Sequence, residues 1–181
     1  RAHLPALRGN TVLDLGCREG LTSLGMLRAG ARRVIAYEPD PVVAQYARLN
    51  HQWFEFVENR VYGELEVLDG SARAIASRFP DGFDLATAFN GLPGDGPQES
   101  AELVRLLSTM AECLVVRGSQ HGAPDRGVAG RRSSVDALKD LLLTNGYPEL
   151  EVVDSLGGPP VLIGRRARHP TPSGVATPAT V

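Results

Sequence analysis

Cysteine, tryptophan and long apolar runs are all scarce in this 181-residue sequence, which contains two Cys and one Trp. The two thiols, Cys17 and Cys113, lie far apart without metal-ligand spacing, which favours buried free thiols in a reducing, cytoplasmic setting. No apolar run approaches the roughly 20 residues that span a bilayer, and residues 1–10 lack the apolar core of a secretory signal. These absences argue against a membrane-spanning or secreted protein.

An excess of charge of either sign is also missing. Lys and Arg number 19 against 21 Asp and Glu, which gives a formal net charge of −2. This balance supplies no overall electrostatic footprint for nucleic acid or an anionic membrane, although a local patch can survive in a near-neutral total. The charge therefore argues against nucleic acid and membranes as partners.

The sequence does contain an alternation of short apolar runs and amphipathic segments. Five runs separated by helix-like segments predict parallel strands: Val12–Leu15, Val34–Tyr37, Leu65–Leu68, Phe83–Phe89 and Cys113–Val116. Two further runs, Glu149–Asp154 and Pro160–Gly164, are too close together for a crossover helix, so they must pair antiparallel.

This order predicts an α/β fold. We expect a doubly wound, mostly parallel Rossmann-like sheet of about seven strands that ends in a C-terminal antiparallel hairpin. One domain is expected over residues 1–168, followed by a disordered tail over 169–181, which has few groups to bury.

The helix after the second strand has a recognisable start. Asp40 is the predicted N-cap and Pro41 the first helical residue, with Tyr46 on the inner face and Asn50 at the end. The aromatic-rich segment 53–57 follows without a clean period, and we expect it to lie in the core or between helix and sheet.

Acids and glycines collect at the predicted carboxyl ends of the strands, where open α/β sheets bind ligands. Asp14 precedes the turn Gly16–Gly20, whose glycines permit positive φ and a close backbone approach. Glu38 lies 22 residues after Gly16 and matches an acid that accepts hydrogen bonds from a ribose diol. Asp69 could accept a hydrogen bond from an adenine amino group, and it precedes Gly70.

The turn, DLGCREG, lacks the middle glycine of G-x-G-x-x-G, which lets backbone approach a pyrophosphate. Two acids flanking it suit a ligand with an ammonium or sulfonium group. The pattern therefore favours an adenosine-type cofactor without a pyrophosphate.

Together the DLGCREG turn, the VIAYEPDP strand, the LDGSA strand end and the closing hairpin resemble class I S-adenosylmethionine-dependent methyltransferases over residues 10–166. The N-terminal half is most similar to the FkbM-type O-methyltransferases. Those proteins carry a Lys-x-Asp-x-Glu-Gly motif on the fourth strand, whereas FDLATAFNGLP has none of its acids.

The resemblance implies S-adenosyl-L-methionine as cofactor and assigns a part of it to each strand end. The methionine end would lie at Asp14 and the Gly16–Gly20 turn, including Cys17, with the ribose at Glu38. Asp69 and Gly70 would hold the adenine. The implied reaction is methyl transfer to a small-molecule acceptor, at oxygen.

Two residues are catalytic candidates. Asn90, at the end of the fourth strand, would lie near the methyl group. His121, in the loop after the fifth strand, has the pKa range of a general base. Both also have simpler explanations, because Asn90-Gly91 is a turn signal and a histidine in a polar loop is commonly solvated.

Other functions stay open at this point. The chain could be a catalytically inactive domain that retains this fold for binding or interaction. It could also be a nucleotide-dependent oxidoreductase, although the missing middle glycine and the closing hairpin disfavour that function. Few residues precede the first strand, so we expect another domain or protomer upstream of Arg1 to contribute to the acceptor pocket.

Overall fold

The structure, a computed structural model, describes residues 7–90, 92, 97–117, 134–154 and 159–166. Within these residues, strands and helices alternate as predicted: β1 Thr11–Leu15, α1 Leu21–Arg28, β2 Arg33–Tyr37, α2 Pro41–Glu58, β3 Glu64–Leu68, α3 Arg73–Arg78, β4 Phe83–Ala88, α4 Pro97–Met110, β5 Ala111–Arg117, α5 Ser134–Thr144, β6 Glu149–Val153 and β7 Val161–Arg165. The predicted tail 169–181 lies outside the described residues.

The strands form one seven-stranded sheet in the order β3-β2-β1-β4-β5-β7-β6. The first five of these are parallel, and β7 pairs antiparallel with both β5 and β6. This confirms the mostly parallel α/β fold with a C-terminal antiparallel hairpin. Since the strand order reverses between β1 and β4, the switch point of the sheet lies at their carboxyl ends.

Helices cover both faces of the sheet, which explains why its central strands are apolar on both sides. On one face Leu13 and Ile35 pack in a core cluster with α3, α4 and α5, and on the other Val12 and Val34 pack with α1. Both cysteines are free and buried, as predicted. Their burial is consistent with any reducing compartment, and the cytoplasmic location stays a prediction.

Helix α2 begins as predicted but ends later. The Asp40 carboxylate accepts hydrogen bonds from the backbone N–H groups of Val42 at 2.8 Å and Val43 at 3.4 Å, so it is the N-cap. The helix then continues past Asn50 to Glu58, and Asn59 closes it with a φ of 45°. No Gly or Pro interrupts residues 51–58, so the backbone has no reason to stop at Asn50.

The residues that α2 buries also differ from those predicted. Ala44 and Ala47 are its buried residues, whereas Tyr46 is 54% exposed. Trp53 and Phe56 are 57% and 84% exposed and Phe54 is half-buried, so the expectation that the whole segment lies in the core or between helix and sheet is wrong. The large side chains of Tyr46, Trp53 and Phe56 are exposed because the side of α2 that packs on the sheet has room only for small residues such as Ala44 and Ala47.

The described residues offer neither a membrane-spanning helix nor a metal-binding cluster. None of their helices is both long enough and apolar enough to cross a bilayer. No group of three or more His, Cys, Asp or Glu side chains among them is arranged to hold a metal ion.

Candidate functional site

The turn between β1 and α1 has an unusual backbone. Gly16, Arg18 and Gly20 have φ angles of 62°, 52° and 81°, a region that favours glycine and is strained for other residues. At Gly20 an added Cβ would lie 3.0 Å from the Cβ of Ala47 on α2. Glycine is therefore needed there both for the φ angle and for the close approach of α2.

Glu38 follows β2 and lies against this turn. Glu38 is 7% exposed, and its carboxylate accepts hydrogen bonds from the N–H groups of Arg18 at 3.0 Å and Asp40 at 3.2 Å. Such bonds compensate a buried carboxyl group for the hydrogen bonds to water that it has lost. Since each carboxylate oxygen can accept more than one hydrogen bond, Glu38 retains acceptor capacity for ligand hydroxyls.

Asp14 is buried between three elements. Its carboxyl is 1% exposed and accepts hydrogen bonds from Ser23 Oγ of α1 at 2.6 Å and Thr87 Oγ1 of β4 at 3.0 Å. Burial raises the pKa of Asp14 to about 6, and the two hydroxyl bonds offset this in part. The observed contacts make Asp14 an anchor for α1, while its contact with a cofactor stays a prediction.

At the end of β3, Asp69 is paired with a helix residue. Arg48 of α2 donates to Asp69 Oδ2 and to the carbonyl oxygen of Val67, both at 2.9 Å. Gly70 has a φ of 86° and open space around its Cβ position, and its carbonyl oxygen accepts a bond from the Tyr37 hydroxyl at 2.7 Å. The adenine-binding roles predicted for Asp69 and Gly70 stay predictions.

Asn90 joins β4 to the glycine turn, because its Nδ2 donates to the carbonyl oxygen of Gly16 at 2.8 Å. This places Asn90 beside the predicted cofactor turn. The second catalytic candidate, His121, lies outside the described residues.

Cys17 is an internal part of the turn. Its thiol is 2% exposed and packs in a cluster with Ala36 and Ala47, and its N–H donates to the carbonyl oxygen of Tyr37 at 3.0 Å. Burial, reinforced by the charges of Asp14 and Glu38, raises the pKa of the thiol to about 12. Cys17 is therefore a neutral packing residue here, and its cofactor role stays a prediction.

Sequence reasoning missed the residues that hold the site in place: Ser23, Arg48, Asn50 and Thr87. Ser23 and Thr87 could have been noticed as hydroxyls within otherwise apolar segments. The sequence pattern predicts a helix end at Asn50, whereas in the structure its Nδ2 donates to the carbonyl oxygen of Glu19 at 2.9 Å and so supports the turn.

No model of a known protein family matches this chain. Two curated relatives are both named ribosomal protein L11 methyltransferase. The one from Herpetosiphon aurantiacus is 44% identical over 45 residues, which is 23% of this chain and 14% of the relative. The one from Aeromonas salmonicida is 28% identical over 147 residues, which is 81% of this chain and 39% of the relative. The chain thus spans less than half the length of these relatives.

Solved structures share the fold at low identity. The N-terminal domain of EvdMO1, solved with SAH and D-fucose, has a TM-score of 0.63 and 17% identity over 90% of this chain and 78% of its own. The ribosomal protein L11 methylase of Lactobacillus delbrueckii has a TM-score of 0.64 and 16% identity over 90% and 73%. A 16S rRNA methyltransferase of T. thermophilus, in complex with AdoMet and guanosine, has a TM-score of 0.62 and 16% identity over 89% and 38%.

These proteins contradict the expected partners. Both relatives are named for a ribosomal protein and one solved structure for ribosomal RNA, which are macromolecules. The prediction of a small-molecule acceptor and the argument against nucleic acid are therefore wrong. Net charge averages over the whole surface and motifs for a cofactor carry no information about the acceptor, so neither observation could support those predictions.

Proposed function

We propose that this chain, which has the fold of the class I S-adenosylmethionine-dependent methyltransferases, binds S-adenosylmethionine and transfers its methyl group to a macromolecular acceptor. The observation that carries the proposal is Glu38, a buried carboxylate held by two backbone N–H groups between the glycine turn and α2. It lies beyond the carboxyl end of β2, one strand from the switch point of the sheet.

The described residues fit this cofactor part by part. Gly20 is the N-cap of α1 and provides no side-chain cap, so the first N–H groups of the helix are available to a carboxylate such as that of the methionine end. Glu38 would accept hydrogen bonds from the ribose hydroxyls. Asp69 and Gly70 would lie at the adenine.

The same residues fit a dinucleotide poorly. Arg18 occupies the position where a pyrophosphate binder has glycine, and Glu38 would place a negative charge near any phosphate. We therefore infer that the site discriminates against NAD.

When bound, S-adenosylmethionine supplies a methyl group on a positively charged sulfonium. The residues of this chain would align the cofactor with the acceptor and exclude water. Among the described residues, Asn90, which donates a hydrogen bond to Gly16, is the candidate for contact with the acceptor. His121 is the candidate for removing a proton from the acceptor.

We propose a ribosomal protein as the acceptor, because both relatives are named ribosomal protein L11 methyltransferase. The acceptor is proposed for the whole protein, because this chain spans only 39% of the length of the relative from Aeromonas salmonicida.

Methyl transfer from labelled S-adenosylmethionine to purified ribosomal subunits tests the proposal. After the reaction, protein and RNA are separated, and we expect the label in the protein fraction. Label in the RNA would overturn the proposed acceptor but support the enzyme. Cofactor binding without transfer to either fraction would favour the inactive binding domain, and tighter binding of NAD than of S-adenosylmethionine would overturn the cofactor.

A further inference from the structure

The outer face of α2 carries an unbroken stripe of exposed apolar side chains, spaced alternately four and three residues apart. We call these residues the α2 stripe: Val42, Tyr46, Leu49, Trp53 and Phe56. Their exposed fractions are 63%, 54%, 49%, 57% and 84%. On an α-helix this spacing aligns side chains along one line, and it is the spacing by which two helices pack against each other.

The stripe makes α2 more apolar outside than inside. Toward the sheet the helix fully buries only two alanines, Ala44 and Ala47, while Val43 and Phe54 are half-buried, and its charged residues are engaged within the chain. Arg48 pairs with Asp69, and Glu58 contacts Arg28. A surface helix ordinarily turns its large apolar side chains to the core, so this reversed arrangement indicates a partner for the outer face.

We propose that the partner is a second copy of this chain, packed antiparallel through α2 about a twofold axis at Leu49. In that arrangement Leu49 meets itself, Tyr46 meets Trp53 and Val42 meets Phe56 of the other copy. Each pair joins a smaller side chain to a larger one or matches equal ones, as close packing requires. Leu49 lies at the middle of the 18-residue helix, so the two helices overlap over their full length of about 27 Å.

The area of the stripe is sufficient for a dimer. Aromatic side chains present about 150–250 Å² each, so the exposed fractions of the stripe correspond to on the order of 600 Å² per copy. Complete coverage of the stripe in both copies would bury about 1,200 Å², which is where specific protein interfaces begin.

The borders of the stripe are neutral, which favours self-association over other partners. Gln45 and Gln52 border it on one side and Asn50 on the other. The α2 residues that directly border the stripe therefore add no repulsion between like charges when two copies meet. An amphipathic helix that binds anionic lipid instead carries Lys or Arg beside its apolar face, and α2 has neither at these positions.

Sedimentation velocity of the wild-type chain tests the dimer directly. We expect a concentration-dependent species of about twice the 19.3 kDa monomer mass. Leu49→Arg would place two like charges at the axis and should raise the dimer dissociation constant by roughly 100-fold. The matched control is Leu143→Arg on α5, because Leu143 has the same exposure of 49%. A wild-type monomer at all concentrations, or equal effects of the two variants, would overturn the proposal.

Cross-linking gives a second readout that does not require loss of the interface. A Leu49→Cys variant should form an intermolecular disulfide under mild oxidation because each residue 49 faces its counterpart, whereas Leu143→Cys should not. The native thiols are both buried and do not interfere. Failure of residue 49 to cross-link, or binding of a monomer to phosphatidylglycerol vesicles through the stripe, would also contradict the dimer.

Discussion

The buried carboxyl group of Asp14 should make the free energy of unfolding depend on pH. Its carboxyl is buried with two hydroxyl donors and has a pKa of about 6, against an ordinary value of 3.8. A folded-state pKa above that of the unfolded chain means that the folded state holds the proton more tightly. The free energy of unfolding should therefore fall as the pH rises from about 4 to about 6 and then level off.

An Asp14→Asn variant should lack this pH dependence while keeping the shape of the side chain. Between pH 4 and pH 7 we expect its free energy of unfolding to rise relative to the wild type by about 2 kcal/mol. Urea unfolding of both proteins across this range measures the difference. Parallel pH profiles would show that Asp14 titrates normally in the folded state.

Gly20 tests the close approach between the cofactor turn and α2. A Gly20→Ala change forces alanine into a φ of 81° and places its Cβ 3.0 Å from that of Ala47. Gly9→Ala is the matched control, since Gly9 has a φ of 82° and nothing within 4 Å of its Cβ position. Denaturant unfolding should show the Gly20 variant to be less stable than the Gly9 variant by about 1–3 kcal/mol. Equal losses would mean that φ alone requires glycine.

At the scale of secondary structure elements, the strands were predictable because each is a short apolar run bounded by turn residues. The closing hairpin followed from the few residues between β6 and β7, and both are antiparallel neighbours as expected. The prediction for helix α2 is wrong because it places the large apolar residue Tyr46 on the face toward the sheet. The buried face holds small Ala44 and Ala47, which give little signal, while the large residues lie outside.

The start of α2 gives a prediction at this scale. Removing the Asp40 carboxylate by Asp40→Ala leaves the N–H groups of Val42 and Val43 without their acceptor. We expect a loss of about 1 kcal/mol in the free energy of unfolding, measured by urea denaturation. Asp40→Ser should recover most of it, because serine is also a good N-cap, and a serine variant as unstable as the alanine variant would speak against capping.

At the scale of the whole molecule, the sequence predicts the fold and brings the candidate site residues to one edge of the sheet, but it does not predict the contacts that hold these residues together. The Asp14 network joins residues 73 positions apart, and the Asp69–Arg48 pair spans 21. Such partners become neighbours only through the sheet order and helix packing, which single-residue patterns do not encode. The acceptor was mispredicted for a related reason, since its recognition is separate from the motif that binds the cofactor.

Calorimetric binding of S-adenosylhomocysteine to the wild type and to Glu38→Ala tests the central claim, that Glu38 marks the cofactor site. Glu112→Ala is the control, because Glu112 is an exposed acid near the amino end of β5, at the opposite edge of the sheet. Hydrogen bonds to a charged group contribute about 1.5–3 kcal/mol, so we expect Glu38→Ala to weaken binding by roughly 10- to 100-fold. Glu112→Ala should bind like the wild type. Unchanged affinity in a folded Glu38→Ala variant would contradict the account.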